Sequence, residues 1–171
     1  MEFALVVGPL ILLLFMILEG GLLLRAHAEV GSTVSGAVRS GSIAGAAGSA
    51  DHEILQHINA RSSSPGNIRK VVIFHAQPGD DGPPSLCLSA PSSSLGAECN
   101  VYTASDLTSG ASAFGCSGND RFWCPTQRQT GIENPDYVGV YVETEHRLVS
   151  GILSRVFVLS DSAILPLEDP T

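Results

Sequence analysis

A short segment from His52 to His57 carries the residue types of a metal-binding helix, with a glutamate between its two imidazoles. Positions five apart on an α-helix lie on different faces, because each residue turns the helix by about 100°. The two imidazoles therefore cannot bind the same metal ion. The other histidines, His27, His75 and His146, are isolated in the sequence. We expect no metal site and no cofactor.

Motifs of the common catalytic classes are missing from the sequence. The chain contains no Gly-x-Ser-x-Gly nucleophile elbow, no phosphate-binding loop and no dinucleotide fingerprint. Cys116 or Cys124 paired with His146 would supply a nucleophile and a base, but both cysteines are better explained as disulfide partners. The sequence therefore predicts a protein that is not an enzyme.

Four cysteines lie close together in the second half of the chain, at Cys87, Cys99, Cys116 and Cys124. An even number of cysteines in loops rich in Gly, Ser and Pro, beyond an apolar segment, indicates two disulfides formed in an oxidising compartment. Three pairings are open. Cys87–Cys99 with Cys116–Cys124 is favoured because each bond closes a short loop, and four free thiols in a cytosolic domain is the alternative.

An apolar run extends from Phe3 to Leu24, interrupted only by Glu19 and preceded by Glu2. About 20 helical residues are long enough to cross a bilayer of about 30 Å. We therefore predict a transmembrane helix over residues 1–24. A carboxylate at the edge of hydrocarbon is costly and is usually retained for a partner, which suggests a role for Glu2. Glu19 is near the far interface, where it can reach the lipid headgroups.

A cleaved signal peptide is the alternative, because Ala26-His27-Ala28 has the form that a signal peptidase accepts. The run is longer than the 7–15 apolar residues of a typical signal, and no basic residue precedes it. Arg25 alone would place the following domain in the cytoplasm, whereas the cysteines favour the extracytoplasmic side. We expect a single-pass protein with its C-terminal domain outside, and a natural start upstream of Met1 with a basic leader.

Residues 25–62, which we call the stem, are rich in Ala, Gly and Ser. Their regular spacing favours a helix over the alternative of a flexible linker. We expect one continuous helix from about residue 3 to residue 60. Rows of small residues along one side of this helix would let another helix approach closely. One row contains Ala28, Ser32, Gly36, Ser40, Ala44 and Gly48.

Residues 63–171, which we call the head, carry the strand patterns. We predict strands at Ile68–Ala76, Glu98–Thr103, Tyr137–Glu145 and Arg155–Leu165. Residues 146–154 are predicted to form a turn or a short helix. The order predicts an α+β fold in which a long N-terminal helix, half transmembrane and half extracytoplasmic stem, carries a small antiparallel sheet.

The composition restricts the partners. The chain has 171 residues and a formal net charge of −8. An acidic chain gains nothing from releasing the counterions of DNA or RNA, so we expect no nucleic-acid partner. The residues beyond the apolar run are enough for one modest domain with its own core.

The segment Glu2-Phe3-Ala4-Leu5-Val6-Val7-Gly8-Pro9-Leu10, followed by the aliphatic run to Glu19-Gly20, resembles the N-terminus of TadE-like proteins. These are pilin-like (pseudopilin) components of the tight-adherence pilus system. The likeness continues at Val38–Gly41, Ala50-Asp51, Asp136–Val140 and Ser160–Ala163. It implies a pilin-like fold and partners that are other pilin-like subunits, platform proteins of the assembly machine, a prepilin peptidase and membrane lipid.

The resemblance also implies roles for individual residues. In pilin-like assemblies a carboxylate at the position of Glu2, beside Phe3, neutralises the amino terminus of a neighbouring subunit. The family's peptidase cuts after a Gly a few residues before this Glu, but no Gly precedes Glu2 here. The small-residue rows would pack neighbouring stems, so Leu at Gly36 and Ser40 is expected to block assembly and leave the head folded.

The alternative function is a membrane-tethered or secreted binding or adhesion module. In this hypothesis the cysteine-rich loops with Trp123 bind a ligand. It predicts that the isolated head, from about residue 66, binds that ligand and does not need the sequence of the stem.

Overall fold

The computed structural model describes residues 2–89, 98–131, 133–148 and 156–169, with side chains from Val6 onward. Its elements confirm the predicted α+β class, in which a long N-terminal helix accompanies a small antiparallel sheet. They are α1 (Glu2–Ala44), α2 (Ala50–Arg61), β1 (Ile68–Ala76), α3 (Ser85–Ser89), β2 (Cys99–Tyr102), β3 (Tyr137–Arg147) and β4 (Val156–Pro166).

The four strands form one sheet in the order β2-β1-β3-β4, and every neighbouring pair is antiparallel. All four predicted strands are present. The turn or short helix predicted from His146 is wrong at its start, because His146 and Arg147 continue β3 and pair with Phe157 and Val156 of β4. The rest of that prediction, from residue 149 on, lies outside the described residues.

Helix α1 has two halves of different chemistry. We call Val6–Leu24 the apolar half, whose large side chains are mostly exposed. From Val30 onward the helix packs against β3, β4 and α2. Val30, Val34, Ala37 and Val38 recur at the spacing of one helical face, and all four are buried. Their small volume lets the helix lie close to the sheet.

The prediction of one continuous helix to residue 60 is wrong, because α1 ends at Ala44. Gly45 follows with φ of 55°, the left-handed conformation that glycine adopts at low cost after a helix. Helix α2 then runs back along α1. Gly41 lies against Ile54 and Gly36 lies against His57, so the numbering falls in α1 as it rises in α2. The flexible-linker alternative is also excluded for residues 25–44.

Both helices and the sheet share one hydrophobic core. Val34 of α1, Leu55 of α2 and Ile73 of β1 are fully buried in the same cluster. The boundary predicted at residue 63 therefore divides elements that fold around a common core. A second cluster covers the other face of the sheet, where Phe74 and the buried cysteines of α3 and β2 pack together.

Candidate functional site

The apolar half of α1 is the part of the molecule that most clearly needs a partner outside the chain. Leu13 is 53% exposed, Met16 74% and Leu24 72%. The helix is long and apolar enough to cross a membrane, and its most apolar window is not buried by the rest of the protein. A core helix of a soluble protein would be covered instead. These properties support a single-pass membrane anchor.

The predicted assembly residues Glu2 and Phe3 begin α1. Their side chains lie outside the description, so the roles assigned to them stay predictions. Pro9 follows inside the same helix without ending it. This agrees with the tolerance of membrane helices for proline.

Gly36, the other predicted assembly residue with Ser40, faces its own chain. A β-carbon at Gly36 would overlap the imidazole of His57, and one at Gly41 would lie 2.5 Å from Cδ1 of Ile54. A leucine at Gly36 must displace the partly exposed imidazole of His57, so this substitution would change the contact between α1 and α2 as well as any packing between stems. The role of Gly36 and Ser40 between subunits stays a prediction.

The cysteines form the pairing that loop length favours. Cys87 bonds Cys99 across a Cα–Cα distance of 6.3 Å, which fastens α3 to β2. Cys116 bonds Cys124 at 5.0 Å and closes a loop between β2 and β3. No free cysteine remains among the described residues, so the nucleophile pairing with His146 is excluded.

A group of polar side chains that no pattern along the chain connects is buried between α2, β2 and the second disulfide loop. We call Asp51, Asn100, Tyr102, Asp120 and Arg128 the buried polar cluster. Nη2 of Arg128 donates to Oδ1 of Asp51 at 2.6 Å, and both side chains are fully buried. Oδ2 of Asp51 accepts from Nδ2 of Asn100 at 2.9 Å and from the hydroxyl of Tyr102 at 2.8 Å.

The hydroxyl of Tyr102 lies between two carboxyl groups of this cluster. The Tyr102 oxygen also lies 3.0 Å from Oδ1 of Asp120. A phenol has one proton to donate, so Asp51 and Asp120 are both satisfied when Asp120 is protonated and donates to Tyr102. Burial, and then the charge of Asp51, raise the pKa of Asp120 to about 6. Burial and the same two carboxylates raise the pKa of Tyr102 well above its usual value.

The cluster holds the cysteine-rich loop in place. The carboxamide oxygen of Asn100 accepts the backbone N–H groups of Phe122 and Trp123, each at 3.1 Å. The Trp123 carbonyl accepts from Nδ2 of Asn100 at 3.0 Å and from Nη2 of Arg128 at 3.1 Å. The Arg128 guanidinium also lies 3.9 Å from the centre of the Trp123 ring. The role of the cluster is therefore structural.

Trp123, the residue on which the adhesion hypothesis depends, is not available to a ligand. It is 7% exposed and stacks on His75, with ring centres 5.4 Å apart. Arg128 covers it as well. The prediction of a ligand surface built on this tryptophan is therefore wrong, because the ring belongs to the core of the head.

His75 has partners that its isolated place in the sequence did not suggest. Its Nδ1 contacts the carboxylate of Glu98, and its Nε2 lies 3.4 Å from Oδ1 of Asp136. The carboxylates approach opposite ring nitrogens and so do not converge on one point. Within the part of the chain that the structure describes, no three His, Cys, Asp or Glu side chains could hold one metal ion.

Comparison with known proteins gives one match. Residues 1–39 match the sequence model of the family described as TadE-like protein. The matched residues comprise the apolar half of α1 and the first part of the helix that packs on the sheet. The predicted resemblance is therefore confirmed over this region. No curated protein and no solved structure matches the chain.

Proposed function

We propose that the chain is a membrane-anchored, pilin-like subunit that takes part in assembling a pilus of the tight-adherence type. The match of residues 1–39 to the TadE-like family carries the proposal. It is supported by the form of α1, in which an exposed apolar half continues without a break into a half that packs on an antiparallel sheet. The proposal assigns no enzymatic activity to the chain.

The proposed orientation puts the head on the extracytoplasmic side of the membrane. Two disulfides in the head support this orientation, because such bonds persist in oxidising compartments. In this arrangement the apolar half of α1 contacts membrane lipid, other pilin-like subunits and the platform proteins of the assembly machine. A prepilin peptidase is the enzyme that would process its N-terminus.

In this proposal the carboxylate of Glu2 neutralises the amino terminus of a neighbouring subunit inside the apolar environment of the packed helices. An ion pair in such surroundings is costly to break, because the remaining charge has no water to solvate it. The residues of α1 that contact lipid in the isolated subunit would contact the neighbouring helices during assembly. Replacing lipid by neighbouring helices breaks few hydrogen bonds, because the apolar half carries few polar groups.

The test is complementation of a strain of the native host that lacks this gene. Wild-type protein should restore pili, and Glu2→Gln should not, because an amide cannot neutralise an amino terminus. Glu133→Gln makes the same change at an exposed head position and should restore pili fully. Sheared pili and membrane levels of each variant are measured by immunoblot. Normal pili in the deletion strain would contradict the proposal, and normal pili with Glu2→Gln would remove the role of this residue.

A further inference from the structure

Three consecutive apolar residues at the start of β4 are exposed: Val156 (46%), Phe157 (36%) and Val158 (49%). With Arg147, which pairs with Val156, we call them the hairpin end. We propose that the hairpin end inserts into the headgroup region of the membrane that α1 spans, and so gives the head a second attachment. This inference rests on the membrane anchor of the proposed function.

Two contacts show that β4 runs alongside α1 in the same direction. A β-carbon at Gly31 would lie 2.8 Å from Oδ2 of Asp161. Further along, Oγ of Ser42 donates to the carbonyl of Pro166 at 2.5 Å. Eleven helical residues rise about 17 Å, and five strand residues also rise about 17 Å. The helix and the strand therefore advance together between these two contacts.

The same rises per residue, counted back toward the N-termini of α1 and β4, give the position of the hairpin end along the axis of α1, which we call its height. Val156 is five residues before Asp161, and Gly20 is eleven residues before Gly31. Because these two segments rise by the same distance, Val156 comes to the height of Gly20. Val158 comes to about the height of Leu24. Both heights lie within the apolar half of α1. The hairpin end is therefore level with the last two turns of the segment that would be in the membrane.

A cleft between the helix and the hairpin shows that the two lie side by side close to this end. Ala26 of α1 and His146 of β3 line the same cleft, which has a volume of about 90 Å³. His146 pairs with Phe157 across the hairpin. Leu159 of β4 lines the cleft too, so the strand is still beside the helix at the residue next to Val158.

The charges at this end suit a lipid surface. Arg147 is exposed beside Val156, and Arg25 is exposed directly after the apolar half of α1. Arginine side chains at an interface can lay their apolar stems along hydrocarbon and reach the phosphate groups. Valine and phenylalanine beside such cations are the side chains that bury into the boundary between headgroups and acyl chains.

Two carboxylates near this end have partners within the protein. Oε1 of Glu145 lies 3.4 Å from Nε of Arg69. Oε1 of Glu29 accepts the backbone N–H of Ser63 at 2.7 Å, and bonds from Ser63 lower the pKa of Glu29. Glu29 stays ionised and interacts with the charge of Arg25, so it offsets part of that charge, and the attachment depends on the three exposed apolar side chains and on Arg147.

The test uses the full chain reconstituted into vesicles of phosphatidylethanolamine and phosphatidylglycerol, with and without bromine on the upper acyl carbons. Phe157→Trp places a fluorophore at the hairpin end, and subtraction of the wild-type spectrum removes the emission of buried Trp123. We expect brominated lipid to reduce the added emission about twofold, because interfacial side chains bury about 5–10 Å into the lipid. Val156→Trp is a second reporter and should behave in the same way.

Two control variants separate the inference from the anchor itself. Glu168→Trp lies at the end of the head near Ser42 and should show no quenching. Leu13→Trp lies in the apolar half of α1 and should be quenched. If Leu13→Trp is quenched and Phe157→Trp is not, the membrane anchor stands and the inference is overturned. Blue-shifted emission at Phe157→Trp without quenching would show that a protein neighbour covers the hairpin end and would also overturn it. An unquenched Leu13→Trp would overturn both.

Discussion

Single side chains in the head have roles that their positions along the chain did not suggest. His75 is isolated in the sequence, yet it lies between two carboxylates and stacks on Trp123. The alternative hypothesis placed Trp123 at a ligand, yet this ring is covered by His75 and Arg128. Spacing along a chain predicts contacts within one helix or one strand, whereas these contacts join loops to strands far away in sequence.

Asp120 should make the stability of the protein depend on pH. Its pKa rises from 3.8 to about 6 on folding, so the folded state binds its proton more tightly than the unfolded chain does. The stabilisation by this proton is complete below about pH 4 and is lost as pH rises through about 6. Asp120→Asn keeps a neutral side chain at every pH and should remove this loss.

The measurement compares urea unfolding of wild-type protein and Asp120→Asn in detergent between pH 4 and pH 7, followed by the emission of Trp123. The wild type should lose stability relative to the variant as pH rises. Glu29→Gln is a control for which the dependence of stability on pH has the opposite sign. Hydrogen bonds from Ser63 lower the pKa of Glu29, so the stabilisation by this carboxylate is lost as pH falls. A constant difference between wild type and Asp120→Asn over this range would contradict the shifted pKa.

At the scale of elements, the strands and the first helix were predictable and the return of the chain at Gly45 was not. Strands such as β3 show alternating apolar residues that fit a half-buried sheet. Glycines occur throughout residues 31–48, and only the one that takes φ of 55° ends the helix. Which glycine does so depends on where α2 can pack, with Ile54 against Gly41.

The ion pair between Asp51 and Arg128 joins α2 to the cysteine-rich loop, so breaking it should loosen both elements. Arg128→Met keeps much of the volume and removes the charge, which leaves Asp51 buried without its counterion. We expect the free energy of unfolding to fall by about 3–5 kcal/mol. Arg69→Met is the matched control, because Arg69 is half-exposed where it bridges Glu143 and Glu145, and should cost about 1 kcal/mol or less.

Urea unfolding in detergent at neutral pH measures both variants. Trp123 reports the loop directly, because its ring lies under the guanidinium of Arg128. Equal losses for Arg128→Met and Arg69→Met would mean that the buried pair is no more important for stability than a surface pair.

The residues that the structure describes beyond the apolar half of α1 form one folded body, from which that exposed half extends. The core of the head includes α1 and α2, so the stem is a structural part of the head. The same helix α1 therefore links the membrane to the core of the head.

A chain that starts at residue 66 should therefore fail to fold. It lacks the buried side chains that α1 and α2 supply to the core, whereas residues 26–171 keep them and remove only the apolar run. We expect cooperative thermal unfolding by circular dichroism for 26–171 and none for 66–171. The missing residues are Val30, Val34, Ala37, Val38, Ile54, Leu55 and Ile58. Cooperative unfolding of 66–171 would contradict the shared core and would favour the adhesion hypothesis.

The sequence by itself determined the membrane-length helix and the strands, favoured the disulfide pairing that forms, and predicted the resemblance of residues 1–39 to the TadE-like family. These features depend on composition, on local periodicity or on short loops, and each can be found within a few neighbouring residues. Only the tertiary structure decided where α1 ends, that Gly36 packs on His57, that Trp123 is buried and that Asp51 pairs with Arg128, which is 77 residues away. It also brought the exposed start of β4 level with the apolar half of α1. Such contacts depend on how distant segments fill one core, and no local pattern specifies that.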